Sequence, residues 1–194
     1  SYTDGHGGTD IISGTEGNAV VIGGTGADQL HGDESVAAVT GGNDIILGDN
    51  GELLLGELPG EIEILGGAVQ TVQTTDTDNS TGGVDTIIGG AGNDIAMGGT
   101  FGDIINGNDG DDIILGDNGR LEWANLDTDL ATLDLISTKL PNLGGRDMIH
   151  GDDGSDVILG GTDADNIYGD EGDEGGSSGF NDDLIFGDHG FVRP

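Results

Sequence analysis

The sequence predicts an all-β solenoid, a fold in which short strands stack on one another along a common axis. Two observations lead to this prediction. A nine-residue pattern recurs along the chain with an aliphatic residue at its eighth place, and glycine makes up 42 of the 194 residues. Glycine-rich turns that alternate with short apolar stretches favour strands over helices. Because nine residues cannot enclose a core, each unit must bury its aliphatic residue against its neighbours.

The nonapeptide has the form G-G-x-G-x-D-x-U-x, where U is a large aliphatic residue. Its clearest copies are Gly23–His31, Gly89–Met97, Gly107–Leu115 and Gly151–Leu159. Glycines at places one, two and four permit a tight turn, and the remaining D-x-U-x suits a short strand. The predicted core is a ladder of the eighth-place residues Ile12, Val21, Leu30, Ile46, Ile87, Ile105, Ile114, Ile149, Ile158, Ile167 and Ile185.

A longer period divides the chain into three super-repeats, 1–79, 80–141 and 142–194. Successive runs of nonapeptides close with GDNG at 48–51, GDNG at 116–119 and GDHG at 187–190. Two joining segments without the pattern, 57–79 and 120–141, follow the first two runs. The first is predicted to be extended because of its alternating β-branched residues, and the second is compatible with a strand pair or a short helix. A further insertion, Glu171–Gly179, is predicted to be a loop.

Charge and composition exclude several classes of partner. With 38 acidic and 4 basic residues, the formal net charge is −34, so there is no basic patch for nucleic acid. No apolar run approaches the roughly 20 residues that a membrane span needs. The absence of cysteine excludes disulfides and zinc–thiolate sites. We do not expect an enzyme, since the carboxylates that could serve catalysis belong to the repeating set.

Aspartate at the sixth place of the nonapeptide points to a cation. Stacked turns bring these carboxylates into rows, and two carboxylates about 4 Å apart repel by up to about 4 kcal/mol at an effective dielectric near 20. Aspartate oxygens and the carbonyl oxygens of glycine turns are the ligands that Ca²⁺ prefers. We therefore expect calcium to drive the folding of this chain.

These repeats resemble the RTX family, the haemolysin-type calcium-binding nonapeptide repeats. The resemblance implies a right-handed parallel β-roll, or β-solenoid, in which two nonapeptides complete one coil and calcium lies between successive turns on the same side. It also implies export by type I secretion, with folding outside the cell. The expected location is therefore secreted, extracellular or at the cell surface.

Carried onto this chain, the resemblance implies that same-side turns lie two repeats apart. This pairs Asp85 with Asp103 and, on the other side, Asp94 with Asp112. The further implied pairs are Asp10 with Asp28, Asp147 with Asp165, and Asp156 with Asp183. Ala19 stands at the sixth place opposite Asp44, so that site is expected to be weak or missing.

The resemblance gives a complete set of expected calcium ligands. Turn carbonyls such as those of Gly23, Gly89, Gly107 and Gly151 are expected to join the carboxylates. The second-place acids of the closing tetrapeptides are expected to complete the last site of each row and then release the chain. About six to nine calcium ions would be bound. The expected carboxylates are Asp10, Asp28, Asp44, Asp49, Asp85, Asp94, Asp103, Asp112, Asp117, Asp147, Asp156, Asp165, Asp183 and Asp188.

The neighbours of the ladder residues are unexpectedly apolar. Ile45 and Leu47 flank Ile46, and similar residues flank the ladder at 113–115, 157–159 and 184–186. Strand alternation places these neighbours on the outer face of the roll. We expect the joining segments to cover that face, or, failing that, the face to mediate assembly.

The function predicted first is a calcium-dependent structural module of a secreted or cell-surface repetitive protein, such as an adhesin, a surface-layer protein or an extracellular filament. Its expected partners are calcium ions and either copies of itself or neighbouring repeats. The alternative is the calcium-dependent C-terminal folding and secretion domain of an enzyme or toxin whose catalytic part is not in this chain. A calcium buffer or secretion chaperone is a third class. The period of the super-repeats favours the first prediction.

Overall fold

The computed structural model describes residues 7–33, 41–56, 63–64, 67–123, 132–170 and 182–193. Every element in these ranges is a β-strand, which confirms the all-β prediction. None of the described residues forms a helix long and apolar enough to cross a membrane. The strands, numbered along the chain, belong to three sheets.

Two parallel sheets form the walls of the roll, and successive nonapeptides contribute strands to them alternately. The first sheet has the order β1 (Ile11–Ser13), β3 (Gln29–His31), β8 (Thr86–Ala91), β10 (Ile104–Asp109), β14 (Met148–Asp153) and β16 (Asn166–Tyr168). The second sheet has the order β2 (Val20–Ile22), β4 (Ile45–Leu47), β9 (Ile95–Gly99), β11 (Ile113–Asp117), β15 (Val157–Gly161) and β17 (Leu184–Asp188). This arrangement is that of a β-roll.

The strand register keeps equivalent places of the repeat opposite each other. Leu30 pairs with Ile87, and Ile105 pairs with Ile149, so the ladder continues where the intervening sequence is long. The nonapeptide strands of all three predicted super-repeats therefore lie in the same two sheets.

The space between the two walls holds the predicted ladder. Ala96 joins it, because Ala96 also stands two residues after a sixth-place aspartate. Ile12 and Ile167 are partly buried. Ile185 is 43% exposed, so its assignment to the core was wrong; it lies on β17, an edge strand of the second sheet. The fully buried members are Val21, Leu30, Ile46, Ile87, Ala96, Ile105, Ile114, Ile149 and Ile158.

A third sheet, which we call the covering sheet, is antiparallel. It has the order β18 (Phe191–Val192), β13 (Leu135–Thr138), β12 (Gly119–Glu122), β7 (Gly67–Thr74) and β5 (Gly51–Gly56), with β6 (Glu63–Ile64) paired to β7. Strands β5 and β12 begin at the last glycine of a GDNG tetrapeptide, and β18 follows GDHG directly. The chain thus leaves the roll at each closing tetrapeptide and adds to the covering sheet.

The covering sheet packs on the outer face of the second sheet, and the two layers share one hydrophobic cluster. Leu47 and Met97 from the roll lie in this cluster with Val72, Trp123 and Ile136 from the covering layer, all of them buried. This confirms, for the described residues, that the joining segments cover most of the apolar outer face; Leu184, on the edge strand β17, is 42% exposed. Strand β7 confirms an extended first segment. Strands β12 and β13 pair with each other, which favours the strand pair for the second. The predicted loop 171–179 lies outside the described residues.

Candidate functional site

The turns that connect the two walls form one row along each side of the roll. The backbone N–H of each sixth-place residue donates to Oδ1 of the sixth-place aspartate in the next coil, at 2.7–3.0 Å. The first row is Asp10, Asp28, Asp85, Asp103, Asp147 and Asp165; the second row is Ala19, Asp44, Asp94, Asp112, Asp156 and Asp183. One carboxylate oxygen therefore fixes each aspartate to the coil before it.

The other carboxylate oxygen is buried without a hydrogen-bond donor. A buried anionic oxygen without a partner is strongly unfavourable, so these positions require a proton or a cation. Among the described residues this holds for Oδ2 of Asp28, Asp44, Asp85, Asp94, Asp103, Asp112, Asp147, Asp156 and Asp165.

Each unpartnered oxygen lies near a carbonyl oxygen of the following coil. At Gly89, an added Cβ would lie 2.5 Å from Asp94 Oδ2 and 2.6 Å from the carbonyl oxygen of Gly107. A side chain at this place would therefore fill the space where the two oxygens converge, which explains the glycine at place one. An equivalent pair, one unpartnered carboxylate oxygen and one carbonyl oxygen of the following coil, lies beside each of Gly23, Gly32, Gly48, Gly98, Gly107, Gly116, Gly151 and Gly160.

A family model describes this repeat. It is the RTX calcium-binding nonapeptide repeat, and it matches four stretches, 4–35, 79–100, 88–120 and 143–173, which together span more than half of the chain.

The chain belongs to the RTX calcium-binding repeat family.

No curated protein and no solved structure matches the chain. RTX repeats bind calcium. The oxygen atoms that converge in this roll fit that ion, because an anionic carboxylate oxygen and a neutral carbonyl oxygen are both hard ligands of the kind Ca²⁺ selects. Within the described residues, no three His, Cys, Asp or Glu side chains gather into a metal site by themselves. The RTX rows instead combine each carboxylate with the backbone of the next coil.

Burial makes these carboxylates difficult to ionise in the absence of a cation. Desolvation raises the pKa of Asp85 and Asp94 to about 7, and that of Asp112 and Asp147 to about 8. In each case a backbone hydrogen bond lowers the pKa, while nearby aspartates, both in the row and beside it, raise it further. Burial also raises the pKa of Asp103 well above its ordinary value. A calcium ion would stabilise the ionised form of these groups.

The structure brings together all of the implied same-side pairs and adds pairs that the sequence analysis missed. Asp28 joins Asp85, and Asp103 joins Asp147, across the long joining segments. On the other side, Asp44 joins Asp94, and Asp112 joins Asp156. Ala19 does stand next to Asp44 in its row, and donates its N–H at 2.7 Å. The number of candidate sites is thus set by two continuous rows and not by three separate blocks.

Of the four carbonyl oxygens named in the predicted ligand set, three face carboxylates. The carbonyl oxygens of Gly89, Gly107 and Gly151 face carboxylates, whereas for Gly23 it is the neighbouring carbonyl of Gly48 that does so. At the ends of the rows, Asp10 is exposed and Asp183 is half-buried.

Two of the second-place acids of the closing tetrapeptides, Asp49 and Asp117, lie beside the rows and accept hydrogen bonds from backbone N–H groups. Asp49 and Asp117 are buried, and Asp188 is exposed. The sequence analysis overlooked Asp33, which is 3% exposed, accepts the N–H of Ala91 at 3.1 Å and has an unpartnered Oδ1. The dipeptide Gly32-Asp33 could have revealed it, because the same Gly-Asp pair begins each closing tetrapeptide.

Proposed function

We propose that this RTX chain is a calcium-dependent structural module of a secreted or cell-surface repetitive protein, of the kind that builds adhesins, surface layers or extracellular filaments. One observation carries the proposal: among the described residues, nine buried carboxylate oxygens have no hydrogen-bond donor and face glycine carbonyls of the next coil, in rows that continue along the roll. Each is an acceptor that a calcium ion would satisfy.

Calcium acts in this proposal as the element that joins one coil to the next. A coil contributes only one or two residues to the inner ladder, and the conformational entropy of a chain with 42 glycines opposes folding. Ionised rows would add repulsion between neighbouring coils. Bound calcium reverses that repulsion, so ion binding and folding form one process.

The use of the joining segments supports a structural and non-catalytic role. The described strands of both segments belong to the covering sheet. In this layer Val69, Leu121 and Trp123 bury their side chains against the roll. The carboxylates of the rows are paired coil to coil by the same hydrogen bond throughout. RTX repeats are typical of secreted proteins, which supports an extracellular location for this chain.

The outer face of the first sheet supports self-association as a further part of the proposal. The side chains that flank the ladder on this face include exposed Ile11, Ile104, Met148 and Tyr168. None of the flanking positions on strands β1, β3, β8, β10, β14 and β16 carries a charged residue, although the chain has 38 acidic groups. An uncharged, partly apolar face is suited to contact with a second copy or with neighbouring repeats.

The test is a calcium titration followed by far-UV circular dichroism, with light scattering recorded on the same samples and magnesium as the control ion. We expect a cooperative transition from coil to β-structure with calcium and not with magnesium, because Mg²⁺ requires a tighter octahedral geometry. Scattering that rises with the transition supports self-association.

A chain that is fully folded in chelator at neutral pH, with no change on adding calcium, would overturn the proposed function. A calcium-driven transition during which the light scattering stays at the value of a monomer would refute only the assembly part of the proposal. It would favour the folding domain of a secreted enzyme or toxin.

A further inference from the structure

Two turns of the first row are interrupted by the joining segments and yet close. In the uninterrupted turn Gly98–Asp103, six consecutive residues lead from the second sheet to the first. In the interrupted turn before β8, Gly48 and Asp49 supply the first two places, and residues 82–85 supply the last four. The hydrogen bond between Asp85 and Asp103 has its usual length of 2.7 Å. An insertion within a turn therefore leaves the row of sixth-place aspartates intact.

The carboxylate of Asp49 bridges the two halves of its turn. Oδ1 accepts the backbone N–H of Gly83, in the returning half, at 3.0 Å. Oδ2 accepts the backbone N–H of Thr100 at 2.6 Å and its hydroxyl at 2.7 Å, both in the turn of the following coil. Asp49 and Thr100 are 0% exposed. Both oxygens of this carboxylate thus have protein donors, unlike Oδ2 of the sixth-place aspartates.

The second interrupted turn repeats this arrangement with different residues. Gly116 and Asp117 begin it, and residues 144–147 complete it. Oδ1 of Asp117 accepts the N–H of Gly145 at 2.8 Å, and Oδ2 accepts the N–H of Thr162 in the following coil. Two independent insertions therefore place the same carboxylate against equivalent N–H groups.

Uninterrupted turns show that an acid at place two does not by itself imply this role. Gly99, at place two, has a φ of 113°, which lets the chain continue around the turn. Asp152 occupies the same place in an uninterrupted turn and also has a positive φ, 70°. Asp49 and Asp117 are not among the residues with positive φ, because the chain leaves the roll at that point.

We propose that Asp49 and Asp117 are turn-closing positioning residues, whose carboxylates replace the missing peptide of an interrupted turn and hold the returning half in register, and that they do not themselves bind calcium. This rests on the proposed calcium-dependent folding, since the register they hold is that of Asp85 and Asp147 in the calcium rows. The motif Gly-Asp before an insertion and Gly-Gly-x-Asp after it marks where a roll of this kind accepts extra sequence without losing a site.

The experiment compares the full chain with Asp49→Asn, Thr100→Val and the matched control Asp152→Asn. The asparagine at position 49 would turn an amide N–H₂ toward one of the N–H donors, whereas valine at position 100 removes only the hydroxyl donor. Asp152→Asn makes the same charge change at place two of an uninterrupted turn, and Asn108 already occupies that place in another repeat. The readouts at saturating calcium are bound calcium per chain, by equilibrium dialysis, and amide hydrogen exchange at Gly83 and Thr100.

We expect Asp49→Asn to bind as many calcium ions per chain as the parent, with exchange at Gly83 and Thr100 faster by about tenfold or more. Thr100→Val should show a smaller acceleration confined to the same turn, and Asp152→Asn should leave both amides unchanged. If Asp49→Asn does not fold, the amide exchange rates of Thr100→Val test the proposal.

Loss of one bound calcium in Asp49→Asn with both amides still protected would make Asp49 a ligand and overturn the proposal. Unchanged exchange in both Asp49→Asn and Thr100→Val would also overturn it. Neither result affects the proposed function, which fails only if the parent chain does not require calcium to fold.

Discussion

Replacing Asp112 by asparagine should change stability in opposite directions with and without calcium. Asp112 is 1% exposed, and its Oδ1 accepts the N–H of Asp94 at 2.8 Å. Its Oδ2 has no donor and lies near the carbonyl oxygen of Gly151. An asparagine in the same rotamer keeps the first hydrogen bond and can donate from Nδ2 to that carbonyl. The substitution thus replaces a cation site with a neutral hydrogen bond.

The magnitude follows from the raised pKa of Asp112. Burial raises this pKa from 3.8 to about 8, so without calcium the folded chain holds a proton that the unfolded chain releases above pH 3.8. The stability is greatest at or below the unfolded pKa and falls as the pH rises toward about 8. At pH 7 the difference costs up to about 4 kcal/mol, at about 1.4 kcal/mol per pKa unit. Asp112→Asn removes this cost in chelator, and removes an anionic calcium ligand when calcium is present.

The assay has two arms. In chelator, circular dichroism as a function of pH should show the unfolding midpoint of Asp112→Asn at higher pH than that of the parent. In saturating calcium, urea unfolding should show the variant to be less stable than the parent. Asp109→Asn is the control, since it makes the same charge change at an exposed position three residues earlier in the same turn. A variant that is less stable than the parent in chelator, or equally stable in calcium, would refute the reasoning.

Three further outcomes are expected. In chelator, the parent should be folded near pH 5 and unfold toward pH 8, because burial raises the pKa of Asp85 to about 7; folding at pH 8 in 1 M salt without calcium would assign the effect to general charge repulsion instead. Gly89→Ala should weaken calcium-driven folding measured by circular dichroism, whereas Gly187→Ala, where an added Cβ meets nothing within 4 Å, should not. Ile136→Ala should lower the free energy of unfolding in calcium by about 2–5 kcal/mol in urea titrations, as expected for a buried core residue; a loss below 1 kcal/mol would mean that the covering sheet adds little.

The repeat pattern was sufficient to predict the roll, because the same short-range chemistry recurs in every unit. Gly90 and Gly92, at places two and four, have the positive φ that a tight turn needs, and Ile114 is buried in the ladder, as predicted. Gly89, at place one, has a different role from the predicted one, because it leaves space beside Oδ2 of Asp94. The apolar neighbours of the ladder also predicted the covering layer, since Leu47 and Met97 on the outer face needed a second layer to bury them.

The continuity of the rows could not be predicted in the same way. Pairing between Asp28 and Asp85 depends on where the chain returns to the roll after the joining segment, and no local pattern states this. The roles of Asp49 and Asp117 were hidden for a related reason: their partners are backbone N–H groups, which carry no trace in the sequence. The exposure of Ile185 depends on its position at a sheet edge, which the repeat alone does not encode.

The insertions also have a consequence for the folding rate. Neighbouring coils within a run join aspartates 18 residues apart, whereas the coils on either side of the first joining segment join aspartates 57 residues apart. Loop-closure entropy grows only with the logarithm of length, so this difference costs about 1 kcal/mol, less than the roughly 1.5–3 kcal/mol from burying one large apolar side chain. Its effect on kinetics is larger, because contacts between distant residues slow folding. The hairpin of β5 and β7, which pairs residues close in sequence, would shorten the gap if it formed first, and would then guide the returning strand to its place.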